Sequence, residues 1–299
     1  MGIIRSSLKM IIHEHLHKPI EGKLLVIGKQ TVGIKKREVI QIFNDYNLDT
    51  FYLKKVKKFD NSTRAAKSNK ENLFFDHDVF KAISPRITYH SLDKSKYENA
   101  DIIQDMNLKL DKKLYNKFDF IIDGGSMDNS FDPVSFLKNI TRMLKTNGRA
   151  VLINHFYQTP GAFLAFSPEY YYSYFAINNF ADVKVYVAVA KSNLKDRYNY
   201  RSELYSYCPY FKRVKNFDYF KSVKKMNTIS NVITVVEKKN NSTHDKIPVQ
   251  IQYMEKKDID WKKKYFNYKK IRKNYIKNTS NKKNKIFNSD HFKLIDEKF

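Results

Sequence analysis

Five polar or glycine positions stand immediately after apolar runs: Gly28 after "KLLVI", Asp93 after "RITYHSL", Asp105 after "ADIIQ", Asp123 after "KFDFII", and His155 after "RAVLIN". Short apolar runs bounded by turn residues read as buried strands. A residue that ends such a strand in an open α/β sheet faces the crevice where ligands bind. Three carboxylates there could accept hydrogen bonds from a ligand rich in donors. A histidine could move a proton. His155 is therefore the candidate catalytic base, with Tyr157 as a second polar group nearby. Each position also has a plainer reading. Asp93 and Asp123 could cap the turns that follow them, and His155 could be structural. No paired metal ligands stand out, so no metal is expected.

The elements that would position these residues alternate. Apolar runs centre near residues 25, 89, 103, 121, 152, 186 and 234. Between them lie helical patterns. Val39, Ile40, Phe43 and Tyr46 fall at helical spacing, and Val134, Leu137, Ile140 and Leu144 share one face. Asp132 is a good N-cap with Pro133 in the first turn, Ser167 and Pro168 repeat that arrangement, and Gly148 suits the left-handed residue beyond a helix C-terminus. Alternating strands and helices predict an α/β fold with a doubly wound, mostly parallel, seven-stranded sheet. The last two strands, near 181–190 and 231–239, would form a hairpin-like pair. The expected organisation is a helical lead-in over 1–20, a main domain over 21–240, and a Lys-rich C-terminal extension over 241–299.

The chain of 299 residues is 42% hydrophobic, enough for a sizeable core. Its single cysteine, Cys208, excludes an internal disulfide and a cysteine zinc cluster. A cytoplasmic protein is the default expectation. The net charge of +25 invites a nucleic-acid partner. However, 46 Lys stand against 10 Arg, and Arg is the residue of bidentate base contacts. The abundance of Lys, Asn, Ile, Phe and Tyr also matches AT-rich codons. In the extension, Trp261, Tyr265, Tyr268, Ile271 and Tyr275 fall near one helical face among lysines, predicting a helix over 258–276. That helix could meet an anionic surface or dock its aromatic face on the main domain.

The run "KFDFIIDGGSMDNSFDPVSFLKNITRMLKTNGRAVLINH" resembles the class I S-adenosylmethionine-dependent methyltransferases. "LKNITRMLKTNGRAVLI" is similar to that family's helix, "MLKPGG" turn and fifth strand, with Thr146 and Asn147 in place of Pro-Gly. "VIGKQ", "SLD", "QDMN" and "FSPEY" further resemble an uncharacterised bacterial subgroup with "LGRQ", "SLD", "HDLN" and "FSPE" at these places. The resemblance covers roughly residues 20–190, with "NVITVVEKK" similar to the last strand. It implies a Rossmann-like fold and S-adenosylmethionine as cofactor. Asp93 would accept from the ribose hydroxyls, Asp105 from the adenine amino group, and the Met106 N–H would donate to the ring. Asp123 would lie near the methionine moiety, and Gly28 would let the backbone pass under the cofactor.

The chain departs from the family pattern in three places. "LLVIGKQTVG" keeps only Gly28 and Gly33 of the glycine-rich loop, and the side chains of Lys29 and Gln30 could crowd the cofactor. The usual spacing of about 20 residues from the first glycine to the ribose acid would point to Asp49 rather than Asp93. Asp128 and Asn129 replace a Glu-His pair after the fourth strand. Methyl transfer needs mainly positioning, with a base only when the acceptor loses a proton. No "NPPY" motif for methylating base amino groups is present. The expected acceptor is therefore an oxygen of a small molecule or glycan. The alternatives are a cofactor-free interaction module, or a nucleic-acid methyltransferase using the basic tail.

Overall fold

A computed structural model of the chain describes residues 2–61, 66–67, 72–96, 98–157, 161–190, 201–207, 230–249, 292–296 and 299. The expected helix over 258–276 and Cys208 lie outside these residues. All seven expected strands form: β1 Gly22–Ile27, β2 Ile87–Asp93, β3 Ile102–Ile103, β4 Phe118–Asp123, β5 Leu144–His155, β6 Ala181–Ala190 and β8 Ser230–Glu237. Two more join them, β7 Ser202–Tyr207 and β9 Phe292–Asp296, so the sheet has nine strands rather than seven.

The strand order is β3-β2-β1-β4-β5-β8-β6-β7-β9. From β3 to β5 every pairing is parallel, and from β5 onward every pairing is antiparallel. Only β7 and β8 run against the rest, so the sheet is mostly parallel in strand direction. The order reverses between β1 and β4, which creates the crevice of a doubly wound sheet. The antiparallel β8, inserted between β5 and β6, makes this the Rossmann-like methyltransferase fold. The hairpin-like pair expected of β6 and β8 is present, with Tyr186 opposite Ile233.

Both faces of the sheet are buried, so successive strand residues feed opposite layers. Leu25, Ile27, Ile121, Leu152 and Val232 point into one core. Leu24, Val26, Ile122, Ile153 and Ile233 point into the other. The first layer is closed by α5 (Pro133–Met143) and α6 (Pro168–Ile177). The second is closed by α1 (Arg5–His17), α2 (Lys36–Asp45) and α4 (Asp76–Ile83), with the short α3 (Phe51–Lys55) between the last two.

Both written-out helix starts form as expected. Asp132 accepts from the Ser135 N–H at 2.9 Å and Ser167 from the Tyr170 N–H at 3.2 Å. The C-terminal expectation is corrected: β5 begins directly after α5, and the left-handed residue in the turn is Asn147 (φ 63°), not Gly148. The lead-in helix α1 is part of the sheet's packing. Its Glu14, fully buried, takes Lys184 Nζ at 2.8 Å and the Arg149 guanidinium at 3.3 Å. No helix among the described residues is long and apolar enough to cross a membrane.

Candidate functional site

The carboxyl ends of β1, β2 and β3, with the turn after β4, surround a cleft of about 310 Å³, within the range of ligand pockets. Gly28, Asp93, Asp105 and Met106 all line it, so four of the expected site residues converge. Gly28 adopts φ +67°, where a side chain is strained. A Cβ there would also strike Ser126 Oγ, which donates to the Ile27 carbonyl at 2.8 Å.

Asp93 accepts from the Ser95 N–H through Oδ1 at 3.1 Å, the turn-capping role, while Oδ2 has no partner among the described residues. Capping and ligand binding can therefore be divided between its two oxygens. Asp49, the alternative by spacing, is exposed, bonds the Phe51 N–H at 2.8 Å and lies outside the cleft. Asp105 is more heavily engaged. Its Oδ1 accepts from the backbone and side-chain nitrogens of Asn107 at 2.9 and 2.8 Å, and its Oδ2 meets Lys94 Nζ at 3.0 Å. Burial acts to raise its pKa, but the Asn107 bonds and the Lys94 charge outweigh it and hold the carboxyl below the usual range.

Asp123 does not line the cleft, contrary to the expected convergence of five residues. It is fully buried behind it, accepting from the Ser126 N–H at 2.8 Å and from Asn154 Nδ2 at 2.9 Å. Burial pushes its pKa up to about 7 against those bonds. Because the folded value is raised, the native state holds an extra proton. The stability this carboxyl contributes is present at low pH and lost as pH rises from about 4 to about 7. A ¹³C NMR titration of the Asp123 carboxyl carbon should have its midpoint near pH 7; a midpoint near pH 4 would remove the effect.

Residues not expected to bind a ligand also build the cleft. Gln30 is 3% exposed. Its Nε2 donates to the carbonyls of Ile27 and Gly28, both at 2.9 Å, and its backbone N–H donates to Asp76 at 3.0 Å. Its side chain thus folds back against the β1 loop at the cleft wall, and its Oε1 occupies the place a Cβ on Gly124 would need. Gly124 is required by that close approach. Lys29 turns toward the Phe75 ring, 5.7 Å from its centroid. Asn107 ties β3 to the start of α5, accepting from Ser130 Oγ at 2.6 Å and the Asp132 N–H at 2.8 Å.

His155 stands beside the cleft rather than in its wall. Its Nδ1 bonds Asp128 Oδ2, and Asp128 is fully buried. The other oxygen of Asp128 accepts from Asn129 Nδ2 at 2.9 Å, and Asn129 lines the cleft. Asn154 joins the two buried acids, donating to Asp123 and accepting from the Asp128 N–H at 3.2 Å. A carboxylate accepts only, so Nδ1 is the atom that donates to Asp128, and in a neutral imidazole with that tautomer Nε2 has the lone pair. Such a pair can serve as an oriented general base. Among the described residues no cluster of metal-ligand type is present.

No protein-family model matches the chain, and no curated protein matches it. Solved structures do. The citrinin polyketide synthase CMeT domain matches at 10% identity and TM-score 0.30, over 52% of this chain and 35% of that one. The YcgJ protein of Bacillus subtilis matches at 12% identity and TM-score 0.39, over 79% of this chain and 100% of that one. Phosphoethanolamine N-methyltransferase 2 of Haemonchus contortus, in complex with S-adenosyl-L-methionine, matches at 11% identity and TM-score 0.39, over 78% of this chain and 52% of that one. This chain spans about a third of the first of these and about half of the last.

Proposed function

We propose that the protein is an S-adenosylmethionine-dependent methyltransferase that methylates a hydroxyl oxygen of a small molecule. The observation that carries the reading is the Asp128–His155 pair, linked through Asn129 to a cleft walled by Gly28, Asp93, Asp105 and Met106. A bound sulfonium cofactor would supply an electrophilic methyl carbon and a neutral thioether leaving group. Asp93 Oδ2 would accept from the ribose hydroxyls. Asp105 and Met106 would face the adenine, with Lys94 moving aside from Asp105. Gln30 would hold the loop carbonyls that a glycine-rich turn otherwise arranges. His155 Nε2 would take the acceptor's proton, and Asp128 would hold the ring and stabilise the imidazolium that forms. A cytoplasmic location, the default for a chain with one cysteine, goes with this proposal. So does the division into a lead-in, a main domain and a Lys-rich extension.

The Lys94–Asp105 pair favours a second reading, a methyltransferase-like module that binds no cofactor, because it fills the place assigned to adenine. Calorimetry with S-adenosylhomocysteine separates the two. The enzyme reading expects binding, and Asp93→Ala should weaken it by about 1.5–3 kcal/mol, as for hydrogen bonds to a charged group, or about ten- to hundred-fold. Absence of heat at millimolar ligand would leave the module reading. Equal binding by wild type and Asp93→Ala would move the ribose site elsewhere.

A further inference from the structure

Two phenylalanines stand out of the surface close to the dyad in the chain, Phe131 three residues after Asp128 and Phe163 on a segment bonded to the dyad's own backbone. Phe131 is 86% exposed and follows Ser130 of the cleft wall; Phe163 is 70% exposed. The N–H groups of Phe163 and Leu164 both donate to the Asp128 carbonyl, at 2.9 and 3.1 Å, and the Phe166 N–H donates to the His155 carbonyl at 2.8 Å. The two rings meet edge to face, with centroids 6.2 Å apart and planes at 86°. Tyr157, 40% exposed, leaves the end of β5 two residues after His155. A pair of exposed aromatic rings in mutual contact, one of them on a segment tied by main-chain bonds to Asp128 and His155, forms a recognition surface more naturally than a core.

We propose that Phe131 and Phe163 are the acceptor-binding residues and that the acceptor is a phenol. This rests on the methyl-transfer reading above. A flat aromatic ring can stack on one phenylalanine and meet the edge of the other, the arrangement aromatic groups favour. A phenolic hydroxyl, with a pKa of about 10 as in tyrosine, also yields its proton to an imidazole far more readily than an aliphatic or sugar hydroxyl does. The phenol's proton passes to His155 Nε2 as its oxygen bonds the methyl carbon. The sulfur–methyl bond breaks, its electron pair stays on sulfur, and the products are an aryl methyl ether and S-adenosylhomocysteine. The geometry thus narrows the acceptor class from any hydroxyl to an aromatic one.

The test uses the full chain and 4-nitrophenol, whose phenolate absorbs visible light, so that binding and ionisation are read without cofactor. The wild type should bind the probe and ionise part of it. Phe131→Ala with Phe163→Ala should weaken probe binding about tenfold or more and leave S-adenosylhomocysteine affinity unchanged. Both side chains are exposed, so the fold should survive, and circular dichroism checks it. Phe131→Leu with Phe163→Leu, which keeps apolar area without rings, should also weaken binding. His155→Ala should retain the bound probe but lose the rise in phenolate absorbance that binding produces over the free probe at the same pH. The proposal is overturned if the probe does not bind, if the double variants bind it as well as wild type, or if a methyl glycoside competes equally. Probe binding without S-adenosylhomocysteine binding would uphold the aromatic surface and sink the methyl-transfer reading. The reverse result would sink the phenol site alone.

Discussion

His155→Ala is expected to lower kcat for transfer to a phenol by about 10²–10⁴-fold, the usual contribution of a positioned base. Affinity for S-adenosylhomocysteine should stay within a few-fold of wild type, because His155 does not line the cleft proposed to hold the cofactor. Asp128→Asn should approach the same loss for a different reason. Its side chain can still fill the buried site, but an amide nitrogen facing Nδ1 would favour the wrong tautomer and turn Nε2 into a donor. In the proposed mechanism Asp128 would act through the imidazole as a positioning residue, so its replacement should also displace the pH profile of kcat, which a merely structural role would leave in place. Single-turnover rates measured across pH decide the matter. Full activity in His155→Ala would show that the acceptor arrives already ionised, or that another group takes its proton.

The second large effect concerns stability. Phe299→Ala should destabilise the fold by about 3–5 kcal/mol, the range for removing a buried phenylalanine. Phe299 is 1% exposed and belongs to the core beneath α1 and α2. Its ring centroid lies 5.6 Å from that of His13 and 4.7 Å from Lys9 Nζ. Urea denaturation measures the change, with Leu16→Ala as control; Leu16 is 53% exposed, and its loss should stay within about 0.5 kcal/mol. Deleting 256–299 removes this ring together with β9, so the shortened protein should unfold at much lower urea than the full chain. An unchanged midpoint in Phe299→Ala would mean that the ring adds nothing to the core.

β1 and β4, the central strands beside the cleft, were legible because they are buried on both faces. "KLLVIGK" and "KFDFIIDGG" are continuous apolar runs with abrupt polar ends, and those ends are where Gly28 and Asp123 sit. Likewise, Asp132–Pro133 and Ser167–Pro168 announced α5 and α6, because capping is local chemistry. β7 was missed since "SELYSY" sits in a stretch rich in polar and aromatic residues, and its burial comes from pairing with β6. β9 was missed for a similar reason: it pairs with β7 across nearly a hundred residues, and no local pattern marks it. In the site, strand-end logic pointed Asp93 and Asp105 at the cleft, which they line, the family resemblance added Met106 beside them, and Asp123 lies buried behind the cleft instead. Whether a carboxylate at a strand end faces a crevice or turns under the next loop depends on neighbours such as Asn154, 31 residues away. Asp128 and Gln30 were noticed only as departures from a family pattern. Their use became visible once their partners His155, Ile27 and Gly28 were in place.

The insertion of β8 between β5 and β6 sets a schedule for the growing chain. β5 pairs with β8 from Arg149 opposite Glu237 to His155 opposite Asn231, and β6 reaches the sheet only through β8. Until residue 237 has left the ribosome, the edge of β5 presents unpaired N–H and C=O groups along an apolar strand, and β6 has no place to dock. An open apolar edge is a template for pairing with other chains, and synthesis at about 5–20 residues per second keeps it open for several seconds after His155 appears. The interval from 156 to 229 is thus when the nascent protein is most exposed to aggregation, and a pause in translation there would lengthen it. Transposing the β8 segment to follow β5 directly should shorten the exposure and leave the native sheet order unchanged.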